Sequence, residues 1–319
     1  MPTDPLAAWS GRADGGTAEH ARWHQRVGPV GSAADGPHIG LLGFRTDEGV
    51  RRNHGRAGAA DGPAALRAAL APLALHGPIS ILDHGDAVTV GDDLEQGQVE
   101  AAALITTALD SPGTALTVVL GGGHETAWAS YLGLMASRRM AESAPRWGVL
   151  NLDAHFDLRE EDRATSGTPF AQMARAEARA GRELDYAVVG IAEPSNTAAL
   201  FSRARDLGVR WMTDLECAEQ GAAGIRTFVE DFACDLDVLY LTIDLDVLPA
   251  AVAPGVSAPA GFGVETALVA AAVRAAAATG KLSLLDVVEL SPSLDIDSRT
   301  ARTAARLIDL AVRGALPRD

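Results

Sequence analysis

Two hydrophobic runs in this chain end in clusters of acidic and imidazole side chains, and they limit the fold more than any other feature. Gly148-Val149-Leu150-Asn151-Leu152 runs into Asp153-Ala154-His155-Phe156-Asp157, and Tyr240-Leu241-Thr242-Ile243 runs into Asp244-Leu245-Asp246. In a strand every second side chain points the same way. That spacing lets Asp153, His155 and Asp157 converge on one point, and likewise Asp244 and Asp246. Ionisable groups on one face of a buried strand are costly unless they are paired or coordinate a metal. Four carboxylates in one place repel each other, and two divalent cations would cancel their charge. A donor set of imidazole with many carboxylate oxygens suits Mn best among Mn, Fe, Ni and Zn.

A third run completes the set. Leu116-Thr117-Val118-Val119-Leu120 reads as a buried strand, followed by Gly121-Gly122-Gly123-His124. The glycines are expected to let the backbone turn tightly and approach a ligand closely. His124 adds a second imidazole, giving six candidate ligands from three strand ends, and open α/β sheets bind ligands at the carboxyl ends of their strands. Taken singly, Gly-Gly-Gly-His is more often a turn and Asp-x-Asp a helix cap. Three such segments together, each behind an apolar run, point to a metal centre.

The rest of the chain supplies the scaffold. Candidate strands at 39–44, 79–82, 116–120, 147–152, 186–190, 209–212, 238–243 and 282–289 alternate with helical stretches such as 63–73, 95–108, 124–137, 171–180, 197–206, 265–278 and 299–313. Alternation of this kind predicts an α/β, three-layer fold: a mostly parallel central sheet of about eight strands with helices on both faces. Residues 38–319 read as one catalytic domain. Residues 1–37, rich in Gly, Ala and Asp, read as a loosely ordered arm in which Trp23 could pack.

Composition narrows the partners. A formal net charge of −15 argues against nucleic acid, since phosphate-binding surfaces need excess Lys and Arg. No apolar run is long enough to span a membrane, and residues 1–16 lack the apolar core of a signal peptide. Cys217 and Cys234 are in no Cys-x-x-Cys pair, so both read as reduced and structural in a cytoplasmic protein. The expected partner is a small-molecule substrate, and a homo-oligomer is compatible with the chain.

These motifs together resemble the arginase/agmatinase (ureohydrolase) family over roughly residues 38 to 314. After Asp244-Leu245-Asp246 come Ala250, Pro254-Gly255, Pro259 and Gly263, similar to the family's signature spacing. Asp286-Val287-Val288-Glu289 resembles the strand whose glutamate holds a cationic amidine or guanidine. Arg56-Ala57-Gly58 with Gly62-Pro63-Ala64-Ala65-Leu66-Arg67 looks like the family's early glycine-rich loop and helix, and Asp83-His84-Gly85-Asp86 like another early strand end. The resemblance implies an arginase-like fold and two Mn2+ ions held by His124, Asp153, His155, Asp157, Asp244 and Asp246. Asp153 and Asp244 would bridge, His124 and Asp157 would complete one ion's shell, and His155 and Asp246 the other's. The implied reaction is metal-assisted hydrolysis, with Asp157 accepting a proton and Glu289 orienting the substrate.

One departure refines that expectation. Arginases and agmatinases carry a histidine in the loop after Asp-Ala-His-x-Asp, where it assists proton transfer to the leaving amine. Here the loop reads Thr165-Ser166-Gly167-Thr168-Pro169-Phe170, with Ser166 in that place. Together with Asp-Ala-His-Phe-Asp-Leu-Arg, Gly-Gly-Gly-His-Glu and Arg22-Trp23-His24-Gln25, this is most similar to the branch that hydrolyses N-formimidoyl-L-glutamate to L-glutamate and formamide in histidine degradation. The alternative is a guanidine hydrolase of the agmatinase or guanidinobutyrase type, releasing urea. A two-metal phosphoesterase would need later histidine ligands, and no histidine follows His155; a silent metal-binding protein would not need so complete a ligand set. The substrate's carboxylates call for a local arginine. Arg159, two residues beyond Asp157, is the leading candidate, with surface pairing to Glu160, Glu161 or Asp162 as its rival and Arg52 and Arg56 as substitutes.

Overall fold

The computed structural model describes residues 5–32 and 36–316. Nine strands form one sheet: β1 (Val27–Pro29), β2 (His38–Arg45), β3 (Ser80–Val88), β4 (Thr114–Leu120), β5 (Trp147–Leu152), β6 (Asp185–Ile191), β7 (Arg210–Thr213), β8 (Val238–Asp244) and β9 (Leu282–Val288). Their order is β1-β3-β2-β4-β9-β8-β5-β6-β7, and every neighbouring pair is parallel. The helices are α1 (Glu48–Arg52), α2 (Gly62–Leu70), α3 (Leu94–Leu109), α4 (Thr126–Ala136), α5 (Arg138–Ser143), α6 (Pro169–Arg179), α7 (Ala198–Asp206), α8 (Asp214–Ala233), α9 (Thr266–Ala278) and α10 (Arg299–Ala315).

Burial explains the layers. Every residue of β5 and β8 is buried, as expected when both faces of a parallel strand are covered and its sequence is nearly continuously apolar. One core packs the sheet against α2, α8, α9 and α10. The other packs its opposite face against α3, α4, α6 and α7. The expected three-layer α/β arrangement is therefore present, with the sheet wholly parallel.

The topology places the site. β4, β9, β8 and β5 lie side by side in the middle of the sheet, although the chain visits β5 directly after β4. The strand order thus reverses there, leaving the kind of crevice at the carboxyl ends where open α/β sheets bind ligands. His124 follows β4, Asp153 follows β5, Asp244 ends β8 and Glu289 follows β9.

Two expectations need correction. The described part of the arm is not loose: β1 pairs with β3, and Trp9 and Trp23 are buried and stacked with ring centroids 6.5 Å apart. Trp23 Nε1 also donates to Asp309 Oδ1 of α10 at 3.2 Å. Two large aromatic surfaces removed from water outweigh the arm's Gly-rich composition. Secondly, β3 does not end at Leu82 but continues to Val88, so Asp83-His84-Gly85-Asp86 lies within the strand. The fully buried Arg67 of α2 accounts for its acids, lying 2.8 Å from Asp83 Oδ2 and 2.7 Å from Asp86 Oδ1. Trp9 Nε1 donates to the same Asp83 carboxylate at 2.8 Å. These early motifs hold the arm and α2 to the sheet.

Candidate metal centre and substrate cavity

The six candidate ligands meet, but strand alternation is not what brings them together. β5 stops at Leu152, and Asp153–Asp157 form the loop beyond it, with Asp157 in the left-handed region at φ 45°. His155 N donates to Asp153 Oδ1 at 2.7 Å. β8 repeats this: Asp244 is its last residue, Leu245–Val247 form a 3-10 turn, and Asp246 N donates to Asp244 Oδ1 at 2.9 Å. An aspartate that accepts from the backbone two residues on makes a local turn. That turn swings the i+2 ligand inward. Asn196, itself buried, clamps the first loop by accepting from Phe156 N and donating to Ala154 O.

The glycines before His124 also act otherwise than expected. None of Gly121, Gly122 and Gly123 has a positive φ. A Cβ on Gly122 would lie 1.8 Å from the Thr46 carbonyl oxygen, and one on Gly123 would lie 2.1 Å from Glu125 Oε2. Their absent side chains let this loop pack against the Thr46 backbone and the Glu125 carboxylate. His124 is then fixed by Phe170, whose ring meets the imidazole edge-on at 5.4 Å, and by Thr242, whose hydroxyl lies 3.1 Å from Nε2.

The donor atoms form two groups that share Asp153. Donors of His124, Asp153, Asp157 and Asp244 lie within 4.8 Å of one another, and so do those of Asp153, His155 and Asp246. Asp244 joins the first group alone. His124 Nδ1 lies 2.9 Å from Asp157, 3.1 Å from Asp244 and 3.2 Å from Asp153, yet it makes a directed hydrogen bond to none of them. Asp246 Oδ1 is likewise buried without a partner. Polar atoms that converge without pairing fit a pair of divalent cations, as does the donor set of imidazoles and carboxylates.

Electrostatics point the same way. Burial, reinforced by neighbouring carboxylates, raises the pKa of Asp157, Asp244 and Asp246. Burial would lower the pKa of His124 and His155, but the aspartates around them outweigh it and hold both well above the usual imidazole value. Burial also opposes ionisation of Asp153, yet His124 and His155 prevail and lower its pKa. Bound cations would displace protons from these groups.

A cavity of about 360 Å³ opens over this centre. Glu289 and Arg159 both line it, as does Ser166. Glu289 is strained at φ 69°. Its backbone N donates to Gly122 O at 2.7 Å, and its Oε1 accepts from His124 N at 2.8 Å. No ion pair involves it among the described residues. Burial, then the nearby Glu125 carboxylate, push its pKa up to about 8; bound cations would act in the opposite direction. Asp286, the other acid of that motif, lies beneath the site and accepts from Ser130 and Tyr240.

Arg159 does not pair with its acidic neighbours. Glu160 is bound to Arg203 instead, and the guanidinium Nη1 of Arg159 donates to Asn53 Oδ1 at 2.7 Å. Of its substitutes, Arg52 is engaged by Glu48, Glu95 and the carbonyls of Asp92 and Ala164. Arg56 lines the cavity, but its guanidinium donates to the carbonyls of Val256 and Ser257.

The sequence model of the arginase family matches residues 37–312. The chain belongs to the arginase family. Among curated members, a formimidoylglutamase of Nocardia farcinica is 52% identical over 98% of this chain and 98% of its own. Among solved members, a formiminoglutamase of Trypanosoma cruzi with two Mn2+ ions is 26% identical with a TM-score of 0.77, covering 89% of this chain and 95% of that one. A formimidoylglutamase of Bacillus subtilis, 22% identical, shares the fold at a TM-score of 0.78 over 90% of each chain.

Reading the sequence did not single out Asn53, Asn196 or Thr242. A lone Asn or Thr carries no spacing signal, and each acts through partners distant in sequence. Glu125 was legible only as part of the Gly-Gly-Gly-His-Glu resemblance. It is buried, and its Oε1 accepts from Gly49 N at 2.9 Å and Thr46 Oγ1 at 3.0 Å. That contact joins the His124 loop to α1.

Proposed function

We propose that this arginase-family chain hydrolyses N-formimidoyl-L-glutamate to L-glutamate and formamide. The observation that carries the substrate is the likeness, along 98% of the chain, to relatives named formimidoylglutamases. The cavity suits such a molecule, since its lining combines carboxylates for an amidine with Arg159, which has no acidic partner among the described residues. His124, Asp153, His155, Asp157, Asp244 and Asp246 would hold two Mn2+ ions. When bound, the ions activate water at neutral pH and act as a Lewis acid.

The chain's own groups do the rest. Glu289 pairs with the protonated amidine, a charge-assisted contact stronger than a neutral one, and sets its carbon over the centre. Asp157 accepts the proton that the attacking water loses. Arg159 binds a carboxylate of the glutamate tail through its planar guanidinium. The tetrahedral carbon then expels the glutamate amine, which takes up the proton, and formamide remains. Ser166 stands where a guanidine hydrolase would place an imidazole, which weighs against urea release.

No described helix is long and apolar enough to cross a membrane. Both cysteines are free, in keeping with a cytoplasmic enzyme.

The test is a substrate panel. Mn2+-loaded protein is offered formimidoylglutamate, arginine, agmatine and guanidinobutyrate, and formamide and urea are both measured. Formamide from the first alone is the expected result; efficient urea release would move the chain to the guanidine hydrolases.

A further inference from the structure

We infer that Asn53 is the positioning residue that makes this site selective for a substrate with an anionic tail; the inference rests on the reading of Arg159 as the tail-binding group. Asn53 directly follows α1 and lines the cavity. Its amide joins two other residues that line the cavity: Arg159 Nη1 donates to Oδ1 at 2.7 Å, and Nδ2 donates to Ser166 Oγ at 3.0 Å. A guanidinium can only donate. The amide oxygen must therefore face Arg159 and the amide nitrogen Ser166, so the orientation is fixed by chemistry.

The neutrality of Asn53 is the central point. Among the described residues no carboxylate pairs with Arg159, although Glu160, Glu161 and Asp162 follow it in sequence. Asn53 holds the direction of the guanidinium while leaving its charge uncompensated. An aspartate in the same place would form an ion pair there and compete with the substrate's carboxylate. The support is rigid on the Asn53 side: Glu125 fastens Thr46 and Gly49 at the start of α1, and Arg52 ties its end to Glu48, Glu95 and the Ala164 carbonyl. Arg159, by contrast, sits in a loop, closed by its own backbone N donating to Gly167 O at 2.9 Å.

The experiment compares wild type, Asn53→Asp, Asn53→Ala and Arg159→Ala, all Mn2+-loaded. Formimidoylglutamate KM and kcat, inhibition by glutarate, bound Mn and thermal melting are measured. Asn53→Asp is nearly isosteric, so a packing role would leave it close to wild type. The expected result is a rise in KM and in the glutarate inhibition constant of about tenfold to a hundredfold, the range of a lost charged hydrogen bond, larger than the fall in kcat, with two Mn retained. Asn53→Ala should do less harm than Asn53→Asp, because it frees Arg159 without neutralising it. An Asn53→Asp enzyme within twofold of wild type in KM, or one that loses metal or melts early, overturns the inference. Formamide release by wild type with no KM change in Arg159→Ala would instead sink the reading of Arg159, and no turnover by wild type would sink the proposed function.

Discussion

Asp153, just beyond β5, and Asp244, the last residue of the neighbouring β8, make the same turn: each carboxylate accepts a hydrogen bond from the backbone two residues on, at 2.7 and 2.9 Å. The strands pair in parallel with Leu152 opposite Ile243, so the two aspartates come next in register. In each, Oδ1 serves the turn while Oδ2 faces His124 Nδ1, at 3.2 and 3.1 Å. One local device, used twice side by side, places the acids at the centre and their i+2 partners around it.

Removing the shared acid should cost the most. Asp153 belongs to both donor groups and Asp246 to one. Asp153→Asn is expected to lower occupancy at both ions, and Asp246→Asn chiefly at one. The loss of affinity with Asp153→Asn should exceed the roughly 10–100-fold cost of losing an outer contact. Elemental analysis after dialysis checks this; two Mn per chain in Asp153→Asn would contradict the assignment.

Metal binding should be proton-linked. Burial and crowding hold Asp157, Asp244 and Asp246 above the usual carboxylate range, and His124 and His155 stay protonated well above the usual imidazole value. Groups with raised pKa values keep their protons as pH rises, and the cations must displace them. Apparent Mn2+ affinity should therefore increase with pH and weaken on acidification, with protons released on binding. Calorimetry in buffers of different ionisation enthalpy, at about pH 6 and about pH 8, measures both; binding without proton release would be inconsistent with this electrostatic picture.

Gly122 should tolerate no side chain. A Cβ there would meet the Thr46 carbonyl oxygen at 1.8 Å and backbone atoms of the same residue at 2.8 Å. Main chain on both sides cannot yield as a flexible side chain would. Gly122→Ala is expected to cost at least about 1–3 kcal/mol and to reduce bound Mn by shifting His124, two residues on. A variant with wild-type melting and metal content would show that the close approach is not required.

The metal centre was legible because its residues sit in short spacings behind apolar runs, and the parallel sheet because those runs are continuous. What lay hidden depends on long-range pairing. The arm illustrates this: Trp9 and Trp23 find each other, and Trp23 reaches Asp309, 286 residues away. The length of β3 was hidden because Asp83 and Asp86 look like a strand exit until Arg67 is seen beside them. Asn53 and Ser166, 113 residues apart, have no joint signature in the sequence.

The arm's packing has its own test. Trp23 is fully buried, and Trp23→Ala should destabilise the fold by about 3–5 kcal/mol. It precedes β1 at the sheet edge, whereas the candidate ligands follow the central strands β4, β5 and β8, so the folded variant should still bind two Mn. Denaturant melts with metal analysis check this; a loss below about 1 kcal/mol would show that the indole contributes little beyond an exposed side chain.

Under the proposed function, hydrolysis at the formimidoyl carbon expels the glutamate amine. The tetrahedral carbon holds two nitrogens, and loss of the other would give ammonia and N-formylglutamate. NMR of the Mn2+-loaded protein acting on substrate labelled with 13C at the formimidoyl carbon, in 18O-water, separates the two directly. Labelled formamide carrying 18O, with an equal amount of unlabelled glutamate, is the expected result. Labelled N-formylglutamate with ammonia, or no turnover by protein shown to hold two Mn, would contradict it.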